Sequence, residues 1–174
     1  MIKSVTFFFL ILSSFLCYSQ EEKSLTESKT DFAFSPGLIL QGNLFADVNV
    51  LIGKVTVDFK SKVPIVGISG FRLGFESNFL TNENFTIAPK IGYEISPMFF
   101  TMRLSAVNYF QNGNSEFRVL PELGFSLGGW VNLTYGYGIA LKDENLKNVS
   151  NHRVALTFNL NKKLRKATFK LLQK

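Results

Sequence analysis

The sequence predicts an all-β protein: an eight-stranded antiparallel up-and-down transmembrane β-barrel, made with a cleaved signal peptide. Three observations carry the prediction. Residues 1–19 are built like an export signal. Between residues 38 and 160, apolar and polar side chains alternate with a period of two, and turn-forming residues cut the alternation into eight segments. No apolar run after the signal is long enough for a transmembrane helix. A mature chain that sits in a membrane must then do so as a closed barrel, because hydrocarbon offers no partner to an open sheet edge.

The leader has Lys3 as its positive start and an apolar core over residues 5–16 that includes Phe7-Phe8-Phe9-Leu10-Ile11-Leu12. Cys17-Tyr18-Ser19 then supplies the small residues of a signal-peptidase site, with Gln20 as the new N-terminus. The core is short for a permanent anchor, and Phe15 and Leu16 are large for a lipid-modified Cys17. Cys17 is the sole cysteine. Cleavage after Ser19 leaves no disulfide framework, no thiol nucleophile and no cysteine metal site. With a single histidine, His152, a zinc site would depend almost wholly on carboxylates. No cofactor is expected.

The formal charge of +6 is unevenly placed. Residues 20–160 hold twelve Lys and Arg against thirteen Asp and Glu, whereas residues 161–174 hold six cations and no acid. The body is neutral and the end is basic, so the overall charge does not indicate nucleic-acid binding.

Residues 20–37 read as a polar lead. The first strand is expected at 38–52, with Leu38, Leu40, Leu44, Val48, Val50 and Ile52 of one parity and Gln41, Asn43, Asp47 and Asn49 of the other. The phase then switches, and Val55, Val57 and Phe59 become the apolar set, which predicts a turn at Gly53. A hairpin over 66–95 follows, interrupted by Thr81-Asn82-Glu83-Asn84. Phe71, Leu73, Phe75, Ile87, Ile91 and Tyr93 lie on one face, and Arg72, Glu76, Lys90 and Glu94 on the other. Ser96-Pro97 leads into a strand at 98–110, and Gln111-Asn112-Gly113-Asn114-Ser115 is a turn by composition. Strands at 116–127 and 130–141 are joined by Gly128-Gly129. After a polar loop at 142–151 the last strand occupies 152–160. Most segments are about nine to fourteen residues long, where a tilted membrane strand needs roughly 9–11, and eight is the smallest usual number for such a barrel.

Orientation decides the reading. A soluble barrel turns its apolar face inward, whereas a membrane barrel turns it out to lipid. The polar face collects Lys54, Arg72, Lys90, Arg103, Arg118 and Arg153 against Asp47, Asp58, Glu76, Glu94 and Glu122. Near balance suits a lumen closed by ion pairs, since an eight-stranded interior is just wide enough for side chains to fill. Aromatic residues near strand ends (Phe45, Tyr93, Phe99, Tyr109, Phe110 and Trp130) suggest interfacial girdles. Longer connections at 81–84, 111–115 and 142–151 alternate with minimal ones, as in barrels with long outer loops and short periplasmic turns. The expected lumenal set is Lys54, Asp58, Arg72, Glu76, Lys90, Glu94, Arg103, Arg118, Glu122 and Arg153.

The leader ending in Tyr18-Ser19-Gln20, the eight two-faced strands, and segments such as Ile91-Gly92-Tyr93-Glu94 and Leu120-Pro121-Glu122-Leu123-Gly124-Phe125 resemble the small outer-membrane β-barrel proteins of the Bacteroidota. The resemblance spans residues 38–160 and implies the outer membrane of a Gram-negative bacterium, with lipid and the barrel assembly machinery as partners. No catalytic or binding motif comes with it. Such barrels often end on an aromatic-terminated strand; here fourteen residues follow Phe158-Asn159-Leu160.

The expected role is structural or surface-interacting, without chemistry. Two alternatives stand beside it. One is a soluble exported barrel binding an apolar ligand inside. The other is a lipid-modifying enzyme acting at the rim through His152, near Ser150 and Asp143. Glu76 and Glu94 on neighbouring strands have the form of an acid–base pair, but the cations Arg72, Lys90 and Arg103 share their face and favour a salt-bridge network. In residues 161–174 a helix would gather Leu164, Thr168, Leu171 and Leu172 on one side. Lys162, Lys163, Arg165, Lys166 and Lys170 would then be available to anionic lipid.

Overall fold

The computed structural model describes residues 27–60, 63–78, 85–141 and 146–173. The expected signal peptide, the connection at 81–84 and Asp143 lie outside the described residues. The elements are β1 (Glu27–Asp58), β2 (Ile65–Asn78), β3 (Thr86–Pro97), β4 (Phe100–Gln111), β5 (Asn114–Leu127), β6 (Val131–Tyr137), β7 (Ile139–Ala140), β8 (Val149–Phe158) and one helix, α1 (Lys162–Leu172).

The strands form a single eight-stranded antiparallel sheet in the order β4-β3-β2-β1-β8-β6-β5-β7. Pairing of β4 with β5, from Phe100↔Phe125 to Gln111↔Asn114, closes it on itself. β7 continues β6 beyond Gly138 and pairs with the same neighbour, β5. β1 supplies two staves. Asn49 Nδ2 donates to the Ser35 carbonyl at 3.3 Å, whereas fourteen extended residues would separate the two by more than about 40 Å. The chain doubles back at Gly42, whose φ of +77° is open to glycine at little cost. Residues 37–42 pair with β8, Phe34 bridges to Leu160 just beyond it, and residues 45–58 pair with β2.

This moves the first turn from Gly53, where the sequence predicts it, to Gly42, and draws residues 27–37 of the expected lead into the barrel. Gly53 lies mid-strand opposite Gly70, and a Cβ on it would stand 2.0 Å from the Ser69 carbonyl oxygen. It is a glycine because two backbones approach there. The alternation does not switch phase at Gly53 either. Leu51 and Val55 stay on the inner face and are buried, and Lys54, expected inside, is exposed on the outer face. The inner face turns apolar at this end because α1 covers it.

Elsewhere the two faces are inverted relative to a soluble protein. Large apolar side chains point out along every stave: Phe71 is 66% exposed and Phe125 76% exposed. The polar set points in, with Glu76 and Glu94 fully buried. Phe71 and Tyr93, paired across β2 and β3, meet edge to face at 5.0 Å on the outside.

The interior is filled in three layers. Towards the Gly42 end, Ile39, Phe45, Val107, Tyr109, Leu120 and Val149 form an apolar cluster, with Leu146 packed against it. Above this cluster Gln111 holds the loop before β8: it accepts from the Lys147 amide and donates to the Lys147 carbonyl, both at 2.8 Å. The middle layer is charged. At the other end Leu51, Val55, Val66 and Ile68 pack against Leu164 and Ala167 of α1.

The helix begins where Asn161, in extended conformation, accepts hydrogen bonds from the amides of Lys163 and Leu164 at 3.0 and 3.1 Å. Asn161 Nδ2 also donates to the Phe32 carbonyl at 2.9 Å, which fixes the cap to β1. Leu164, Ala167 and Thr168 form the buried face, at the spacing of one helical side. Leu172, expected on that side, is exposed. Residues 161–173 are therefore docked across the barrel end rather than projecting as a separate basic tail.

Candidate functional site

The charged middle layer is the strongest concentration of chemistry-bearing residues in the described chain. Strand pairing sets it up: inner-face charges stand beside glycines on the neighbouring strand. Arg72 pairs with Gly92, Lys90 with Gly74, Glu94 with Gly70, and both Glu122 and Arg153 with Gly136. The missing side chains leave room for the long ones.

The ion pairs form one chain of alternating sign: Arg103–Glu94–Arg72–Asp47–Lys90–Glu76–Arg153–Glu122. Arg103 Nε meets Glu94 at 2.8 Å, Lys90 Nζ meets Asp47 at 2.6 Å, and Arg153 Nη2 meets Glu76 at 2.9 Å. Arg72 also pairs directly with Glu94. Four cations balance four anions, so this layer carries no net charge.

Glu94 is the hub. Besides two guanidinium groups it accepts from Ser96 Oγ at 2.7 Å, Asn159 Nδ2 at 2.8 Å and Asn132 Nδ2 at 3.1 Å. Asn159 also reaches the Gly129 carbonyl, which links the network to the turn before β6. Glu76 is the second centre: Tyr109 Oη donates to it at 2.5 Å and Arg153 holds both its oxygens. Glu76 and Glu94 are therefore each saturated by donors. Neither stands as a free acid or base for a substrate.

The structure brings together Arg72, Glu76, Lys90, Glu94, Arg103, Glu122 and Arg153 from the expected lumenal set, with Asp47. Arg118 is also inside, but pairs with Glu116 at 2.5 Å, reaches the carbonyls of Val149 and Ser150, and lies over the Tyr109 ring. Asp58 is buried at the far end of β1, where it accepts from the Lys60 amide at 2.8 Å. Lys54 lies outside. Glu116, Tyr109, Gln41, Asn132 and Asn159 are lumenal residues not among the expected set. Phe45 and Tyr109, expected in an outer girdle, point inward and are buried. The signal was parity: Phe45 shares its parity with Asp47 and Asn49, and Tyr109 with Arg103 and Ser105.

His152 is on the outer face. Its Nδ1 lies 2.5 Å from Tyr135 Oη, and its ring meets that of Tyr137 edge-on at 5.0 Å. Its partners are two aromatic residues, and Ser150 Oγ only accepts from its backbone amide. The expectation of an apolar ligand chamber meets a middle lumen lined by charged side chains. Among the described residues no group of three or more His, Cys, Asp or Glu side chains is placed to hold a metal ion. Lys162, Lys163, Arg165, Lys166 and Lys170 are exposed on α1, with Lys170 Nζ 4.8 Å from the centre of the Phe59 ring.

Fold and lumen together define the class: a closed eight-stranded antiparallel barrel with buried charged pairs. Comparison of the chain with protein-family models, with curated proteins and with solved structures finds no match in any of the three.

Proposed function

We propose that the protein is a small outer-membrane β-barrel of a Gram-negative bacterium, exported by its leader and inserted by the barrel assembly machinery. Its outer face lies in lipid, its lumen is closed, and its role is structural or surface-interacting without catalytic chemistry. The observation that carries the reading is the inversion of faces: apolar side chains cover the outside of a barrel whose inside is charged. A water-soluble barrel with this surface would expose far more contiguous apolar area than soluble monomers tolerate.

Dimensions support the same reading. The outward run on β4 from Phe100 to Phe110, apolar except at Asn108, rises about 33 Å along the strand, or about 25 Å along the barrel axis at a tilt of about 40°. That is the height of an outer-membrane apolar band. On β1 the outward side chains become polar at Thr30, Lys54 and Thr56, beyond Phe32 and Ile52, as a strand leaving hydrocarbon should. No described helix is long and apolar enough to cross a membrane; in this reading the strands do so.

Detergent partition with heat-modifiable gel migration is the test. The mature protein is expected in the detergent phase, and the unboiled form should migrate differently from the boiled one. Recovery in the aqueous phase without detergent would sink the proposal.

A further inference from the structure

A cavity of about 300 Å³ opens at the rim beside the start of α1, lined by Trp130, Leu160, Asn161, Lys162 and Arg165. It lies where two kinds of surface meet. The outward stripe of β8 runs through Val154, Leu156 and Phe158 to Leu160, which is 50% exposed. Immediately beyond it the helix presents Lys162 and Arg165. The first turn of α1 holds no acidic residue, so these cations oppose the helix macrodipole, which favours anions there. Neither has an ion-pair partner among the described residues. The indole of Trp130 is half-buried and packs against Phe169 of α1, with ring centres 5.3 Å apart.

We propose that this cavity binds the phosphate headgroup of an anionic phospholipid from the surrounding leaflet. Lys162 and Arg165 neutralise the phosphate, and Leu160 and Trp130 contact the glycerol and first methylenes. The acyl chain continues along the β8 stripe. The site rests on the membrane reading above. A free phosphate would use the cations but leave Leu160 and the indole face unoccupied. The apolar wall in line with the cations therefore selects the lipid. An unanswered pair of cations in the first turn is costly, and a resident anion removes that cost.

Trp130 is the only tryptophan, so its fluorescence reports on this site alone. Full-length mature protein is refolded into phosphatidylcholine vesicles containing a small fraction of acyl-brominated phosphatidylglycerol or, separately, acyl-brominated phosphatidylcholine. Brominated phosphatidylglycerol is expected to quench Trp130 at the lower mole fraction, by roughly fivefold per cation. The preference should fall to near parity in the Lys162→Gln, Arg165→Gln double variant. In the wild type, 0.5 M salt should also reduce it, which gives a reading independent of the variant. Equal quenching by the two lipids overturns the proposal, as does a preference that survives the double substitution. Abolition of the preference by millimolar inorganic phosphate assigns the cavity to a small anion and overturns the lipid. A chain that never becomes heat-modifiable in vesicles, with Trp130 quenched by aqueous iodide and by neither lipid, overturns the membrane reading instead.

Discussion

Glu94 shows how much one side chain can hold together here. It is fully buried and accepts from Arg72, Arg103, Ser96, Asn132 and Asn159. A buried ion pair contributes little compared with an apolar replacement of both partners, but removing one partner strands the other charge. Glu94→Gln leaves two guanidinium groups sharing one fewer negative charge. It is expected to lower unfolding stability in urea by about 3 kcal/mol. Lys54→Gln, at a cation on the outer face, should change it by no more than about 0.5 kcal/mol. Equal midpoints for the two variants would show that the lumenal network carries no stability. At this scale much was legible. The parity of Arg72, Glu76, Lys90, Glu94, Arg103, Glu122 and Arg153 placed all of them inside. The parity of Phe45 and Tyr109 carried the same information, but their aromatic character suggested a girdle. Lys54 was misplaced because its neighbours Val55 and Val57 looked like a lipid-facing set.

At the scale of elements, α1 explains that misplacement. An apolar inner face near residues 51–55 makes sense only once Leu164 and Ala167 pack on it. Leu164 is fully buried, and Leu164→Ala is expected to cost about 3 kcal/mol of stability. Asn161→Ala, which removes the cap and the tie to Phe32, should cost about 1 kcal/mol. Thermal unfolding in detergent measures both, and a Leu164→Ala melting temperature equal to the wild type would mean that the helix does not stay docked. The helical periodicity and basic side chains of residues 161–174 were visible in the sequence. Docking was not, because it depends on Ala33, Leu51, Val55, Val66 and Ile68 converging from separate strands. The Gly42 turn was missed for a related reason. A single glycine between two alternating runs of the same parity leaves no break in the pattern, since a turn about one residue preserves phase.

At the scale of the whole molecule, the lumen is blocked by an apolar cluster, a balanced charge layer and a helix cap. The protein reconstituted in a planar bilayer is therefore expected to give no unitary conductance steps. A chain ending at Asn161 should give none either, because the charge layer does not depend on α1. Steps from the full-length protein would contradict the closed lumen; steps from the shortened chain alone would make α1 the seal.

The period-two alternation by itself determined that the protein is built of two-faced β-strands and, outside residues 53–59, which residues share each face. Alternation is a local property: each side chain's face follows from its neighbours and the pleat. The tertiary structure alone decided where the first stave turns, which inner residues form one ion-pair chain, and that the basic C-terminal segment closes the barrel end. Each of these depends on register between strands distant in sequence. A shift of two residues keeps every side chain on its face but changes its partners, so no pattern within one strand can specify it.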